Sequence, residues 1–409
     1  MRKITFLLSL VLVFTIPWED SVSATSLGSL TRVVGLAVAG CWLMTIVIEG
    51  RFRKPHLFHY LVLLFFLWNF LSVFWSRDMT STIERLRTYA QVFLLILILW
   101  EILQKPEELV AALQAYVFGA YVLIGSTIYN YVNGNVAVAY EGRYSATGVN
   151  AVDLALILLL GLPVAAQLFF AGGQEKQGTV LRLINLSYIP LAIFSIVLTG
   201  SRTSLVAIIP FGAYMVVSPQ IKFNQKLLLF ILLLAALLVL LPFIPSTVLE
   251  RLGTIGSSIA SKDLDGRVKL WADSILLLSS HPILGIGAGT LYSTIGAAAH
   301  NTFISVATET GFVGFGLFIA TLGLVVYQTM QLPGGKSGLW LVVLLTWAIG
   351  VLSLSWEFRK ATWLLLSFVA IQGNLVTQPQ AAPSSLPVSQ KVGKPLGLPE
   401  SEIKAKAAS

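Results

Sequence analysis

Long blocks of apolar residues, each near the length of a membrane-spanning helix, constrain this chain more than any other feature. A helix needs about 20 apolar residues to cross a bilayer, and charged residues make up only 11% of the chain, against about 25% in soluble proteins. Because lipid offers backbone groups no hydrogen-bond partner, each block is predicted to be helical. The candidate spans are 3–17, 27–48, 57–75, 90–103, 108–131, 149–170, 181–199, 203–218, 226–244, 300–329, 338–353 and 361–376.

These blocks predict an all-α fold, a polytopic transmembrane bundle of about twelve helices with a large, partly helical outer loop at 245–299. We expect N-terminal transmembrane helices over 1–189, a core over 190–330, and C-terminal transmembrane helices over 331–376. The tail at 377–409 has no apolar block and is rich in Pro, Ser, Ala and Lys, which predicts a disordered cytoplasmic segment. The single cysteine, Cys41, excludes an intramolecular disulfide.

Arginine and lysine are distributed differently along this chain. With the N-terminus inside, most lysines fall in inner turns or the tail, as the positive-inside rule expects. Most arginines fall in outer segments, where a planar, bidentate donor suits carboxylate, phosphate or pyrophosphate recognition. The alternative is that arginines anchor helix ends at lipid headgroups, which we favour for Arg32, Arg77 and Arg359. The outer arginines are 32, 77, 85, 87, 143, 202, 251, 267 and 359.

A short polar break at 198–205 separates two apolar spans and carries Arg202. Gly200 permits the turn, so Arg202 is predicted to lie on a stiff connection at the outer membrane boundary. A cation there is costly unless an anion or carbonyl groups receive it. Pairing with an outer carboxylate such as Asp153 or Glu309 is the structural alternative to a ligand-binding role.

The long outer loop contains a second arginine of interest. Apolar residues within 267–280 recur at three- and four-residue spacings, which predicts an interfacial helix with Trp271 at headgroup depth. Arg267 would lie in its first turn, where a cation does not complement the helix dipole. The glycine-rich run 282–289 follows without a preceding strand, so we reject a dinucleotide fingerprint and expect backbone packed closely against a ligand or a helix.

The last polar group is His300-Asn301 at the mouth of the next span, with Glu309 nine residues further on. An outer histidine can exchange a proton near neutral pH, although a boundary histidine is more often an interfacial hydrogen-bonding group. At 100° per residue, His300 and Glu309 are predicted to face different directions. A buried acid needs a partner, so Glu309 is a candidate for orienting an arginine.

In this order, these segments resemble the bacterial O-antigen ligase and polymerase family, with a core at about 190–330. A segment at 143–148 resembles the family's preceding outer loop. The residues that carry the resemblance are Gly200-Ser201-Arg202-Thr203, Arg267 with Trp271, His281 to Gly287, and His300-Asn301 with Glu309, Gly311 and Gly314.

The resemblance implies an inverting, metal-independent glycosyltransferase of the bacterial plasma membrane, with no cofactor and no nucleic-acid partner. It would move a glycan from undecaprenyl pyrophosphate to a hydroxyl on lipid A–core or on another lipid-linked glycan. By matching position, Arg202 and Arg267 would bind pyrophosphate, and His300 would be the family's essential histidine. Arg143, Asn301, Trp271 and Glu309 are the expected substrate-binding residues.

Several alternatives remain open at the level of sequence. Asp263-Leu-Asp265 has the D-x-D form of a metal–nucleotide site, but we interpret it as a solvated turn. Glu19-Asp20 lies where other membrane glycosyltransferases keep a catalytic acid, but we interpret it as a helix boundary. A small-anion transporter is the main rival class, but no internal repeat is evident. A pure scaffold is a third reading. The presence of one long outer loop, instead of two, favours a ligase over a polymerase.

Overall fold

The computed structural model describes residues 1–25, 28–137, 142–170, 178–253 and 266–377. Within these ranges the chain is almost entirely helical, apart from a hairpin of β1 (Ser23–Thr25) and β2 (Gly28–Ser29) that the sequence did not predict. The helices are α1 Arg2–Thr15, α2 Leu30–Glu49, α3 Leu57–Leu71, α4 Met79–Ile102, α5 Pro106–Val132, α6 Ala151–Phe170, α7 Thr179–Leu198, α8 Arg202–Ala207, α9 Ile209–Val217, α10 Phe223–Leu240, α11 Ser246–Gly253, α12 Arg267–Ser280, α13 Leu291–Ile295, α14 Thr302–Met330, α15 Gly335–Gly350 and α16 Lys360–Thr377. Short 3₁₀ turns lie at Ile16–Trp18, Ser72–Phe74, Leu241–Phe243 and Val351–Ser353.

The predicted all-α membrane fold is confirmed, whereas the count of twelve spans is not. Among the described residues, eight helical segments are long and apolar enough to cross a membrane. The other four predicted blocks also contain helices, but α1, α8 with α9, and α16 are short, and α4 begins eleven residues earlier than its apolar block. The D-x-D sequence and the tail from 378 onward lie outside the described residues.

Contacts between connections support the predicted up-and-down path of the chain. At the predicted outer end, Arg359 forms an ion pair with Asp20 at 2.6 Å, although 339 positions separate them. At the predicted inner end, Arg2 pairs with Glu108 at 3.1 Å. Polar residues of distant segments therefore meet at the ends of the bundle, away from the apolar surface that would face lipid.

Helices differ greatly in how much protein surrounds them. In the most apolar stretch of α6, 78% of the residues are buried inside the protein, whereas in the corresponding stretch of α10 only 6% are buried. A helix that is apolar all round is stable in lipid without protein neighbours, because its backbone groups are satisfied internally. The central position of α6 means that its polar residue Asp153 must find partners inside the protein.

Helix α14 is broken at Gly311, where φ is 65° and ψ is −173°. The glycine-rich segment 282–287 packs into this break, and its backbone bonds with groups on both sides of it. The hydrogen bonds are Ile286 N–H to Thr308 O (3.1 Å), Gly287 N–H to Glu309 O (2.9 Å) and Phe312 N–H to Pro282 O (2.8 Å). The expectation of close backbone packing against a helix is therefore confirmed, and segment 282–287 is bonded to the bundle on both sides of the break.

We predict that Gly285→Ala destabilises the protein strongly. Gly285 has a φ of +72°, and an added Cβ would lie 2.5 Å from the backbone carbonyl of Glu309, where no flexible side chain can give way. The left-handed conformation alone costs alanine about 1–2 kcal/mol, and the backbone clash adds to that cost. Thermal unfolding in detergent would show a lower midpoint than for wild type.

Gly296→Ala is the matched control, because Gly296 has a φ of +78° but open space around its would-be Cβ. This variant measures the cost of placing alanine in the left-handed conformation without the cost of a backbone clash. Equal loss of stability in the two variants would show that the packing of segment 282–287 into the helix break contributes nothing.

Candidate active site

His300 lies immediately before α14 in a backbone conformation that is rare for its residue type. Its φ is +49°, and it is the sole non-glycine residue with a positive φ in the part of the chain that the structure describes. Such residues cluster at functional sites, where the surroundings impose the strain. The conformation directs attention to His300 independently of any sequence motif.

Residues on both sides of His300 fix its position. Asn301 caps α14, since its side-chain oxygen accepts hydrogen bonds from the N–H groups of Phe303 (3.0 Å) and Ile304 (3.2 Å). On the other side, the indole N–H of Trp271 donates to the carbonyl oxygen of Ala299 at 2.9 Å. Asn301 and Trp271, which we expected to bind substrate, therefore both have contacts that position His300.

His300 lines a cavity of about 270 Å³ at the predicted outer end of the bundle. Glu309 lines the same cavity, although helical periodicity predicts that the two side chains face different directions. That prediction assumed one continuous helix, whereas α14 begins only at Thr302 and His300 precedes it in a left-handed turn. The lining residues are Arg85, Asn150, Asp153, Gly289, Leu291, Tyr292, Ala298, His300, Ser305, Glu309, Leu354, Ser355, Phe358 and Arg359.

A buried ion cluster forms one wall of the cavity. Arg85 of α4 contacts Glu357 at 2.7 Å and Glu309 at 3.4 Å, and its side chain is 15% exposed. Glu309 also accepts backbone N–H bonds from Gly289 (2.8 Å) and Leu291 (3.3 Å). Glu309 thus orients an arginine, as the sequence suggested, and in addition it holds the loop that precedes His300.

A second ion cluster joins the cavity lining to the predicted first outer loop. Arg359 pairs with Asp20 at 2.6 Å and with Asp153 at 3.4 Å, and Lys360 pairs with Glu19. Our assignment of Arg359 as a headgroup anchor is therefore wrong, because its guanidinium group forms ion pairs with two carboxylates of the protein itself. Glu19 and Asp20 both serve as ion-pair partners that tie the two connections together.

Three arginines surround the tight turn at Gly200, which has a φ of +58°. The Nε–H of Arg143 donates to Thr199 O at 2.6 Å, that of Arg202 to Arg251 O at 3.3 Å, and that of Arg251 to Gly200 O at 3.3 Å. We call Arg143, Arg202 and Arg251 the arginine cluster.

One residue, Leu354, links the His300 cavity to the segment that follows Arg202. Leu354 lines the His300 cavity and also a small cavity beside Thr203 and Ser204, which directly follow Arg202. Asp153 and Glu309, the carboxylates considered as partners for Arg202, are instead in contact with Arg359 and Arg85. The structure thus brings Arg202 together with Arg143, a candidate that the sequence placed on a separate loop.

Arg267 acts on His300 through its charge. Burial of the imidazole lowers the pKa of His300 below its ordinary value of 6.5, the positive charge of Arg267 lowers it further, and Asp153 partly opposes both effects. His300 is therefore neutral at pH 7, the form that can accept a proton. Of the three predicted catalytic residues, Arg267 and His300 interact electrostatically, and Arg202 belongs to the arginine cluster.

The fold defines a multi-pass α-helical membrane protein with a polar cavity at one end of the bundle. Residues 188–319 match the family model described as Wzy_C, O-Antigen ligase. The match spans just under a third of the chain and confirms the resemblance to the O-antigen ligase family. It supports a role as an enzyme that processes glycans in polysaccharide biosynthesis. No curated protein matches the chain.

Sequence reasoning missed Arg85 and Glu357 as parts of the site. Arg85 was one of nine outer arginines, with nothing in its local sequence to distinguish it from Arg87, which is exposed two residues later. Glu357 lies in the short connection between α15 and α16 and is 1% exposed. An acidic residue beside the apolar blocks of a membrane protein was the available signal, because such a residue requires a partner.

We predict that Arg85→Met lowers the stability of the folded protein by about 3–5 kcal/mol, because it leaves two buried carboxylates without their counter-charge. Unfolding of the purified variant in detergent measures this loss. Arg51→Met is the control: Arg51 pairs with Glu49 at 3.2 Å with 73% of its side chain exposed, and exposed pairs contribute about 0–1 kcal/mol. Similar stabilities for the two variants would contradict a structural role for the buried cluster.

Proposed function

We propose that this protein transfers a glycan from undecaprenyl pyrophosphate to an acceptor hydroxyl at the outer face of a bacterial plasma membrane. The observation that carries the proposal is the strained His300 on the wall of a polar cavity, next to a cluster of arginines that includes Arg202. Arg202, Arg267 and His300 lie within the segment that matches the O-antigen ligase family.

In the proposed reaction, the acceptor hydroxyl oxygen attacks the anomeric carbon of the donor sugar. The bond from that carbon to the pyrophosphate oxygen breaks, and undecaprenyl pyrophosphate leaves with the electron pair. Attack from the side opposite the leaving group inverts the anomeric configuration. Negative charge grows on the pyrophosphate, so guanidinium groups already in place stabilise the transition state more than the ground state.

His300 would receive the proton of the acceptor hydroxyl. The neutral imidazole is the form that accepts a proton, and burial together with Arg267 favours that form. The contacts of Asn301 and Trp271 hold the backbone on both sides of His300. Orientation of the acceptor hydroxyl by His300, without proton transfer, is the alternative role for the same contact.

The acceptor determines whether the protein is a ligase or a polymerase. A ligase would use a hydroxyl on lipid A–core, and a polymerase would use a second lipid-linked glycan. We favour the ligase because a single long outer loop precedes α14. The mechanism requires no divalent cation, because the arginines would neutralise the leaving group.

Alanine substitution of Arg202, Arg267 or His300 is expected to lower the transfer rate by about 10²–10³ or more, since each removes a group that acts in the transition state. Arg202→Lys should also fail substantially, because an ammonium group cannot form a bidentate contact with phosphate oxygens. The measurement is transfer by purified protein with lipid-linked donor and candidate acceptors, in the presence of EDTA.

Arg87→Ala is the control for general loss of an outer arginine, since Arg87 is exposed on α4. It should retain wild-type transfer. Full activity in the three alanine variants, or strict sensitivity to EDTA, would refute the proposed mechanism.

The rate of transfer should fall on acidification with a midpoint below pH 6.5. The pKa of His300 is lowered in the folded protein, so the active neutral form persists to a lower pH than for an ordinary histidine and is lost as pH drops through that pKa. A pH profile of kcat/KM measures the midpoint, and residual activity of His300→Gln should lack this acidic limb. An acidic limb that persists unchanged in His300→Gln would assign it to another group.

A further inference from the structure

Helix α10 has few protein neighbours, and an open apolar groove lies between it and helices α7 and α9. The volume of this groove is about 660 Å³, more than twice that of the His300 cavity. Every residue that lines it has an apolar side chain, except Gly212 and Lys226. In the most apolar stretch of α10 only 6% of the residues are buried, and Phe230 in the groove is 63% exposed. We call this space the α10 groove.

The α10 groove has a cation in its lining. Lys226 lies in the first turn of α10, at the predicted inner end, and its Nζ donates a hydrogen bond to the carbonyl oxygen of Val216 at 2.5 Å. Val216 lies in the last turn of α9, where carbonyl groups have no partner within the helix. An ammonium group has three N–H donors, and in the described part of the chain Lys226 uses one of them. The contact with Val216 holds this charge between the ends of the two helices.

The surroundings of Lys226 are basic. Helices α7, α9 and α10, which form the groove, contain no acidic residue. Lys222 precedes Lys226 by about one helical turn, and Lys336 lies in the first turn of α15; both are exposed. The loop before α10 contacts the start of α15, since a Cβ added at Gly335 would lie 1.4 Å from the side chain of Gln220. Basic pockets between membrane helices on the inner side suit anionic lipid headgroups.

We propose that the α10 groove binds an anionic phospholipid of the leaflet at the predicted inner face, with an acyl chain in the groove and the phosphate group against Lys226. The volume of the groove is in the range of ligand sites, about 300–1,000 Å³. Phosphate oxygens accept hydrogen bonds from ammonium groups. A headgroup that carries its own ammonium has no net charge, so the lysines favour an anionic headgroup over it. This inference is independent of the proposed function, whose residues lie at the predicted outer end.

Native mass spectrometry of the full-length protein in detergent tests the headgroup preference. The probes are dioleoyl phosphatidylglycerol and dioleoyl phosphatidylethanolamine, which have the same acyl chains and differ in net charge. Each lysine near a membrane surface favours an anionic lipid by about fivefold. We therefore expect phosphatidylglycerol to bind about tenfold more tightly, or better.

Lys226→Gln should lower the affinity for phosphatidylglycerol by about fivefold and leave the affinity for phosphatidylethanolamine unchanged. Glutamine keeps a side-chain donor for Val216 and removes the charge. Lys105→Gln is the matched control, because Lys105 is also exposed at the predicted inner side but does not line the α10 groove. This control should bind phosphatidylglycerol as the wild type does.

Gly212→Leu tests the place of the acyl chain. Gly212 lies in α9 with no atom within 4 Å of an added Cβ, so leucine suits the helix and fills the groove. The affinity for phosphatidylglycerol should fall by about tenfold or more. Gly323→Leu is the matched control, because Gly323 has equally open space in α14 and does not line the groove. Phosphatidylglycerol should raise the thermal midpoint of the control and of the wild type, but not that of Gly212→Leu.

Equal affinities of the wild-type protein for the two phospholipids would overturn the inference. Unchanged binding of phosphatidylglycerol in either Lys226→Gln or Gly212→Leu would also overturn it. Undecaprenyl phosphate is the third probe: tighter binding than that of phosphatidylglycerol, lost in Gly212→Leu, would show that the groove holds a polyprenyl chain instead. None of these measurements involves glycosyl transfer, so a failure of this inference is distinct from a failure of the proposed function.

Discussion

The contact of Arg85 with Glu309 and Glu357 is the interaction on which the outer end of this protein depends. It joins three parts of the chain that are far apart in sequence: α4, the broken helix α14 and the connection before α16. Removing these charges from water is costly, and their mutual attraction offsets that cost only when the geometry is good. The main effect of the cluster is therefore to fix how these three segments meet, and its net contribution to the free energy of unfolding is smaller.

The break in α14 allows the ion cluster of Arg85, Glu309 and Glu357 also to hold the loop that leads to His300. Because the helix is interrupted at Gly311, the carbonyl groups of Thr308 and Glu309 receive N–H groups from the outer loop. The same loop then delivers two N–H groups to the Glu309 carboxylate and continues towards His300. A flexible loop would not hold a histidine in a left-handed conformation, whereas a loop bonded along its length can do so.

Much of the fold could be predicted from the sequence. Apolar blocks long enough to cross a bilayer must satisfy their backbone hydrogen bonds internally, because lipid offers no partners, and an α-helix does so. The apolar blocks, the close packing of the glycine-rich run and the need of Glu309 for an arginine all follow from local patterns. The identity of that arginine does not follow from local patterns, because Arg85 and Glu309 are 224 positions apart. The positions of His300 and Glu309 on one cavity also depend on a helix start that helical periodicity cannot reveal.

The distribution of arginine was the most informative compositional signal, yet it mixed two uses of the same residue. Arg85 and Arg359 neutralise carboxylates within the protein, while Arg143, Arg202 and Arg251 gather at one turn. Only the structure shows which of these arginines lie together.

Location of the lipid pyrophosphate tests the account most directly. Cryo-electron microscopy of the protein with undecaprenyl pyrophosphate in nanodiscs should show density for the two phosphates against Arg202 and the turn at Gly200, with the His300 cavity left to the acceptor. Pyrophosphate density inside the His300 cavity, or at the opposite end of the bundle beside Lys226, would contradict it.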